Sequence, residues 1–259
     1  MSRSSSHDRK VIEISGRDRQ EFLQGLVSND VRLASQGLVY AALLTPQGKY
    51  LFDFFLFERG DSIMLDVDAG MASQLEQRLN LYRLRQSVTL GSAGIQVSRG
   101  TGDPPEGAWP DPRNPALGWR LYGTDGRDGI GDDWDRIRVD HCIPETGIEL
   151  IADRTFILEA GFDRLNGVDF RKGCYVGQEV TARMRHKSRM TKGLATVEIE
   201  GQAVPGTTIM SGKRQAGLLH TRAGNKAIAY LRFDRLGGEP LTAGDAILRL
   251  PPDQEPAVS

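Results

Sequence analysis

The sequence predicts an α+β protein with a small β-barrel at its C-terminal end. Residues 39–45 and 50–58 are two apolar runs separated by Pro-Gln-Gly-Lys, which is the signature of a β-hairpin. Residues 69–81 carry apolar side chains at helical spacing. From residue 193 onward, short apolar runs alternate with regular turns, which is typical of a small barrel or sandwich. A hairpin followed by a helix and further strands favours an α+β layer over a doubly wound sheet.

The other elements follow from local patterns. A polar or capping residue (Asp18 or Ser15) precedes the first helix, and a loop rich in Gly, Pro and Asp covers residues 100–118. The predicted helices span residues 18–27, 69–81, 132–139 and 176–184. In addition to the hairpin, strands are predicted at residues 11–14, 63–67, 88–90, 95–98, 119–122, 194–199, 207–210, 216–220 and 226–231.

Composition narrows the class of protein. A chain of 259 residues is long enough for two or three domains, and its formal net charge of −1 gives no overall attraction to nucleic acid or membrane. No run approaches the roughly 20 apolar residues that span a bilayer. Two cysteines are too few for a disulfide framework, a structural zinc or a cluster held by one chain. We therefore expect a protein of a reducing compartment, located in the cytoplasm, with no resident metal and no membrane contact.

The segment Lys-Gly-Cys-Tyr-Val-Gly-Gln-Glu at residues 172–179 is the strongest candidate for chemistry. It puts Cys174 between two glycines, after Arg171 and Lys172, and just before a predicted helix. A thiol acts as a nucleophile or ligand in its thiolate form, which nearby cations and helix N-termini favour. We therefore predict Cys174 as the reactive residue and Lys172 as its activator. The alternative is that Cys174 is a small buried apolar residue.

A second candidate is the basic patch, residues 183–192, which holds five cations and no acid. Such a patch fits a folate glutamate tail, an acidic protein or RNA phosphate, and a solvated surface is the common alternative. It contains no aromatic residue, so stacking with single-stranded bases is not supported. A contact with tRNA through this patch therefore stays one of several alternatives.

The segment from Asn166 to Arg183, Asn-Gly-Val-Asp-Phe-Arg-Lys-Gly-Cys-Tyr-Val-Gly-Gln-Glu-Val-Thr-Ala-Arg, closely resembles the signature of the YgfZ family. These are folate-binding relatives of the glycine-cleavage aminomethyltransferase, the T-protein, and they include mitochondrial iron–sulfur assembly factors. Segments 24–31, 44–50 and 82–88 resemble further landmarks in the same order. The resemblance implies three modules around a central folate cavity. They are a discontinuous first domain (9–45 and 118–190), an inserted α+β domain (46–117) and a C-terminal barrel (191–250).

The resemblance also implies a site. Tetrahydrofolate or a derivative would occupy the cavity, with Trp134 stacked on it. Polar contacts would come from Asn29, Asp30 and Asp53. From the cysteine segment, Tyr175, Gln178 and Glu179 would order the loop and face the ligand. The alternatives are a packing role for Trp134, a turn or C-cap role for Asn29 and Asp30, and a solvated position at the edge of the turn for Asp53. The implied function is support of iron–sulfur assembly or repair in client enzymes, among them the methylthiotransferases that modify tRNA.

One departure concerns the catalytic carboxylates. The T-protein carries paired aspartates after its glycine turn, whereas this chain has Leu-Phe-Asp-Phe at residues 51–54. Phe52 cannot exchange a proton, and general acid–base help contributes about 10²–10⁴-fold to a rate. Folate-dependent aminomethyl transfer, or another one-carbon transfer, is therefore the alternative function and not the leading one.

Overall fold

The computed structural model describes residues 9–124, 133–186, 190–237 and 239–251. The chain divides into two compact units. In the described residues, the first comprises 9–124 and 163–178, and the second comprises 133–162 and the rest from 179 onward. The chain therefore leaves the first unit, builds part of the second, and returns before it completes the second.

The first unit is built on a five-stranded antiparallel sheet in the order β2-β3-β4-β1-β5. Its helices are α1 (Arg19–Gln24) and α2 (Ala69–Arg83), and a short 3₁₀ helix spans Val31–Ser35. The strands are β1 (Arg9–Ser15), β2 (Val39–Leu44), β3 (Tyr50–Arg59), β4 (Ser62–Asp68) and β5 (Thr89–Ser92).

Both faces of this sheet are covered, which explains why β2 and β3 are nearly continuous apolar runs. Phe52, Phe54 and Leu56 alternate along β3 and pack with α1 and α2 residues such as Phe22 and Leu75 in one core. Burial of such side chains contributes about 1.5–3 kcal/mol each. The opposite face of the sheet carries polar groups, among them Asp53 and Asp66.

A chain of buried ion pairs joins the five-stranded sheet to a small three-stranded one. The small sheet has the order β6-β8-β7, with strands β6 (Gln96–Gly100), β7 (Trp109–Pro110) and β8 (Trp119–Gly123). Asp66 of β4 accepts hydrogen bonds from Arg9 at 2.6 Å and Arg120 at 3.2 Å. Arg120 also donates to Asp111 at 2.9 Å, and Asp111 accepts from Arg113 at 2.8 Å. Burial alone would raise the pKa of Asp111, but Arg113 and Arg120 hold it well below its usual range.

The second unit contains a closed antiparallel barrel of six strands in the order β10-β11-β12-β9-β14-β13. Helix α3 (Trp134–Asp140) packs against β11 and β12, and α4 (Gln178–Arg185) begins where the two units divide. The barrel strands are β9 (Lys192–Glu200), β10 (Thr208–Ser211), β11 (Arg214–Ala223), β12 (Lys226–Arg232), β13 (Leu241–Ala243) and β14 (Ala246–Arg249).

The predicted α+β class and the C-terminal barrel are confirmed, and most helices and strands lie where they were predicted. The first helix is shorter than predicted, because it ends at Gln24 with Gly25 as its C-cap and does not reach Val27. Asp18 lies at its N-cap position, but its side chain accepts a hydrogen bond from the distant amide of Ser87 and does not cap the helix. The short strands β7, β13 and β14 were not predicted. Asp132, the first residue of the predicted third helix, lies outside the described residues. The three-domain boundaries stay a prediction.

Candidate functional site

The cysteine segment is held in the first unit by contacts with the turn that follows α1. The amide of Asp169 donates to the Ser28 carbonyl at 3.0 Å, and the Ser28 hydroxyl donates to the Gly167 carbonyl at 2.6 Å. The Asn29 amide group donates to the Asn166 carbonyl at 2.8 Å. These bonds join residues that lie far apart in the sequence. They fix the polypeptide immediately before the cysteine.

Lys172 makes the most extensive of these contacts. Its side chain is 4% exposed, and its ammonium group donates to the backbone carbonyls of Gln24, Val27 and Asn29, which lie 143 to 148 residues earlier in the chain. The bonds to Gln24 and Asn29 are 2.9 Å long. The same nitrogen lies 5.1 Å from the centre of the Tyr175 ring, within range of a cation–π contact. All three ammonium protons are therefore used within the first unit.

The electrostatics of Lys172 follow from its burial. Burial lowers the pKa of Lys172 from 10.5 to about 8, against the opposing effect of Asp30 and Asp169. The group is therefore charged at neutral pH and close to titration. Its protons point to carbonyl oxygens, so the observed role of Lys172 is to position the loop. Activation of Cys174 by Lys172 stays a prediction with no hydrogen bond in support.

Cys174 itself is exposed, which argues against the alternative of a buried apolar residue. It lines a groove of about 650 Å³ in the first unit. We call this the Cys174 groove; α1 contributes Gln20, Glu21 and Phe22, and the end of α2 and the turn after it contribute Tyr82 and Gln86. The other cysteine, Cys142, is buried against Val139 and Ile228 in the second unit. The two thiols are thus distinguished by access to solvent.

The two glycines around the cysteine have different roles. Gly177 has φ of +83°, and a Cβ there would lie 2.6 Å from the carbonyl oxygen of Thr45, so only glycine allows this close approach of two backbone segments. At Gly173 a Cβ would meet nothing within 4 Å. The predicted close approach therefore applies to Gly177 and not to Gly173.

The remaining predicted residues of the motif separate into buried and exposed ones. Tyr175 is buried beside Lys172, as described above. Gln178 is half-buried at the start of α4, where its backbone N–H donates to the Tyr175 carbonyl. Glu179 is 91% exposed and pairs with Arg183 at 3.3 Å on the surface of α4. Tyr175 and Gln178 thus belong to the structure of the loop, whereas Glu179 lies in solvent.

Asn29 and Asp30 are buried, and their side chains bind protein groups. Asn29 donates to the carbonyls of Tyr40 and Asn166 and accepts from the amide of Asp30. Asp30 caps the 3₁₀ helix and accepts from the backbone and guanidinium of Arg32. Hydrogen bonds from Arg32 lower the pKa of Asp30 to about 2. These contacts assign both residues a structural role, and a contact with folate stays a prediction.

Asp53 lies on the polar face of β3. Its two oxygens accept hydrogen bonds from the hydroxyls of Tyr40 at 3.0 Å and Tyr50 at 2.8 Å. Burial and the nearby Asp53 raise the pKa of Tyr40 well above its usual value. The guanidinium of Arg113 lies 5.5 Å from the Tyr40 ring centre. Phe52 points to the other side, into the apolar core, where a carboxylate would be poorly solvated.

The second unit contains Trp134 and a separate polar cluster. Trp134 is half-buried in the first turn of α3. Four residues later, Arg138 is buried and donates at 2.6 Å to Glu149, whose other oxygen accepts from the Thr221 hydroxyl at 2.6 Å. Burial lowers the pKa of His220, which lies next to this cluster. Trp134 belongs to a different unit from Asn29, Asp30 and Asp53.

Several of these groups were not predicted. They are the backbone carbonyls that accept hydrogen bonds from Lys172, the tyrosines that donate to Asp53, and the Arg138–Glu149 ion pair. Folding alone brings these groups together. In the basic patch, Lys187 and Arg189 lie outside the described residues. Among the described residues, no three side chains of His, Cys, Asp or Glu are grouped to hold a metal ion. In the same part of the chain, no helix has the length and apolar character needed to cross a bilayer.

Comparison with known proteins shows similarity of the chain to one group of proteins. Residues 191–257 match the family described as the CAF17 C-terminal beta-barrel domain. The iron–sulfur cluster assembly factor IBA57 of mouse mitochondria is 29% identical over 276 residues, which cover 89% of this chain and 77% of the mouse protein. The chain is similar to IBA57-type assembly factors. The human protein gives the same identity and coverage. A Neurospora crassa homologue is 31% identical, over 71% of this chain and 50% of its own length.

A solved structure shows the same fold. The glycine cleavage system aminomethyltransferase T of Bartonella henselae superposes with a TM-score of 0.70 at 15% identity, over 93% of this chain and 81% of that one. This likeness confirms the predicted T-protein-like fold. The narrower YgfZ assignment stays a prediction.

The prediction of a cytoplasmic location is contradicted by these matches, because the IBA57 relatives are named as mitochondrial proteins. The prediction was based on the low number of cysteines and on the lack of a membrane-spanning apolar run. A low number of cysteines fits any reducing compartment, so it does not distinguish the cytosol from the inside of a mitochondrion.

Proposed function

We propose that this protein supports the assembly or repair of iron–sulfur clusters in client enzymes, with Cys174 as the residue that contacts the cluster. Similarity to IBA57-type assembly factors over 89% of the chain carries the proposal. The exposed thiol supports it, since a cluster or a client protein needs access to the sulfur. The same relatives favour a mitochondrial location.

The chemistry follows from the number of ligands. An iron–sulfur cluster is usually held by four cysteine thiolates, and the chain has two cysteines, of which one is buried. Cys174 therefore acts as one ligand of a cluster whose other ligands belong to the client. Such a shared cluster is cargo in transfer between two proteins. Methylthiotransferases that modify tRNA are one class of client in this proposal.

The test is rescue of cells that lack their own assembly factor of this type. Cys174→Ala and Cys174→Ser are expected to leave the activity of an iron–sulfur client enzyme low, while wild type restores it. Cys142→Ala is the matched control, because it removes the buried thiol and is expected to retain rescue. Full rescue by Cys174→Ala would remove the cysteine from the mechanism.

The proposal includes tetrahydrofolate or a derivative as a ligand, supported by the resemblance of the cysteine motif to folate-binding relatives. Asn29, Asp30 and Asp53 are engaged with protein groups, and no step is assigned to the folate. Titration of tetrahydrofolate against the intrinsic fluorescence of wild type and Trp134→Phe tests the ligand. Quenching that saturates in wild type and is lost in the variant would support stacking on Trp134.

Aminomethyl transfer is the second candidate, favoured by the fold it shares with aminomethyltransferase T. Two observations oppose it. Phe52 is buried in the apolar core, and both oxygens of Asp53 accept hydrogen bonds from tyrosine hydroxyls. Purified protein incubated with the lipoyl-bound aminomethyl carrier and tetrahydrofolate is expected to form no methylene-tetrahydrofolate at enzymatic rates. Formation at such rates would replace the assembly proposal.

A further inference from the structure

An exposed apolar ridge lies at the end of α2. Leu81 and Leu84 are 71% and 88% exposed, although leucine is usually buried. Leu84 also has φ of +45°, a backbone conformation that residues other than glycine rarely adopt without strain. The strained backbone holds this leucine in solvent, where it contributes little to the core. Strain together with exposure is typical of residues that serve binding.

The ridge is continuous with the Cys174 groove. Tyr82 and Gln86 line the groove beside Cys174, and Gln86 also lines a second depression of about 760 Å³ together with Leu84 and Arg85. A partner that covers the ridge would therefore reach the thiol.

Charge identifies the chemistry of that partner. Arg83 and Arg85 flank Leu84, both are exposed, and no carboxylate of the described residues lies within ion-pair distance of either. The acids on the lining are Asp18 and Glu21. Asp18 is engaged with the Ser87 amide and with Arg17. In the described part of the chain, Arg83 and Arg85 are thus unpaired, and Glu21 is the acid of the lining that makes no ion pair.

We propose that this surface is a docking site for an acidic segment of an iron–sulfur protein, one in which Asp or Glu alternates with a large apolar residue next to a cysteine. Its carboxylates would pair with Arg83 and Arg85, its apolar residue would cover Leu84, and its cysteine would meet Cys174 in the groove. This inference rests on the proposed function, because it names the kind of client that the thiol serves.

Thiol–disulfide exchange with synthetic peptides tests the site. The probe is a peptide with the sequence Asp-Leu-Glu-Leu-Cys, activated as a 2-pyridyl disulfide. The Cys174 thiolate attacks the peptide sulfur, a new disulfide forms, and pyridine-2-thione leaves and is measured by its absorbance. The peptide Lys-Leu-Lys-Leu-Cys is the charge control, and uncharged 2-hydroxyethyl 2-pyridyl disulfide reports the reactivity of the thiol itself.

The expected result is that the acidic peptide reacts about tenfold faster than the basic one at low salt, since each exposed ion pair contributes a factor of at most about five. The ratio should fall as salt rises. Charge reversal of Arg83 and Arg85 to Glu is expected to invert the preference, whereas Lys213→Glu with Arg214→Glu, an exposed pair in the second unit, leaves it unchanged.

The apolar part is tested by Leu84→Ser, which is expected to slow the acidic peptide about threefold and to leave the uncharged disulfide unaffected. This effect corresponds to the loss of part of one buried side chain. Equal rates for both peptides, or a preference that survives charge reversal, would overturn the docking site. That outcome leaves the proposed function intact, because rescue by Cys174 variants is measured separately in cells.

Discussion

Replacement of Lys172 by Met tests whether the lysine holds the cysteine loop. Met has a similar length and is apolar, so it fills the space and removes the three hydrogen bonds to Gln24, Val27 and Asn29. Each buried carbonyl left without a donor costs about 1–3 kcal/mol, and the loss is partly offset because a buried charge disappears. We expect a loss of about 3–5 kcal/mol in the free energy of unfolding, measured by urea denaturation at pH 7.

The pH dependence gives a second measure of the same contact. The pKa of Lys172 is about 8 in the folded state and 10.5 ordinarily. Between these values the unfolded chain binds more protons than the folded one, so this group increases stability as pH rises. The difference in unfolding free energy between wild type and Lys172→Met should therefore grow from about pH 8 to about pH 10.5, by on the order of 1–3 kcal/mol.

Lys226→Met is the matched control, since Lys226 is partly exposed and pairs with Asp140 on the surface of the second unit. It is expected to cost less than about 1 kcal/mol. The reasoning about Lys172 would be refuted if Lys172→Met cost no more than this control and left the rate of Cys174 with a small disulfide unchanged.

Three further predictions concern the first unit. Asp66→Ala removes the acceptor of the half-buried Arg9, the buried Arg120 and the Tyr122 hydroxyl, and should cost about 3–5 kcal/mol in urea denaturation. The exposed Asp61→Ala should stay within about 0.5 kcal/mol, and a small effect at both positions would contradict the ion-pair chain. Gly177→Ala is expected to lower the melting temperature by several degrees, whereas Gly173→Ala should change it little. The reason is that only the Cβ added at Gly177 would contact another backbone segment. Equal effects of the two substitutions would contradict this. Asp30→Asn should cost about 1 kcal/mol or less at pH 7. This difference should vanish as pH falls from about 4 to about 2, because Asp30 becomes protonated in that range and its carboxylate no longer stabilises the folded state. A difference that stays constant with pH would contradict this role of Asp30.

The fold was largely predictable because its elements carry strong local patterns. The hairpin at residues 39–58 and helix α2 combine apolar spacing with clear turn residues, and the structure places both close to the predicted limits. The strands β13 and β14 have three and four residues, too short for a periodic pattern. Their position in a closed barrel comes from pairing with distant strands, which local sequence does not encode.

The cysteine segment could be identified from its motif, whereas its contacts could not be predicted from the sequence. Cys174 was singled out by its motif, and the structure shows it exposed. The partners of Lys172 are backbone carbonyls, which every residue has, so no residue type in the sequence indicates them. The side-chain amide of Asn29 likewise donates to a backbone carbonyl, that of Asn166, which lies 137 residues further along the chain and which no local pattern indicates.

The discontinuity of the first unit has a consequence for synthesis on the ribosome. Residues 163–178 complete that unit, yet they emerge only after residues 133–162, which belong to the other one. The hydrogen bonds from Lys172 to the carbonyls of Gln24, Val27 and Asn29 therefore form only after most of the chain has been synthesised. The loop that carries Cys174 therefore cannot be ordered by these hydrogen bonds on an incomplete chain, and a product truncated before Lys172 would lack them.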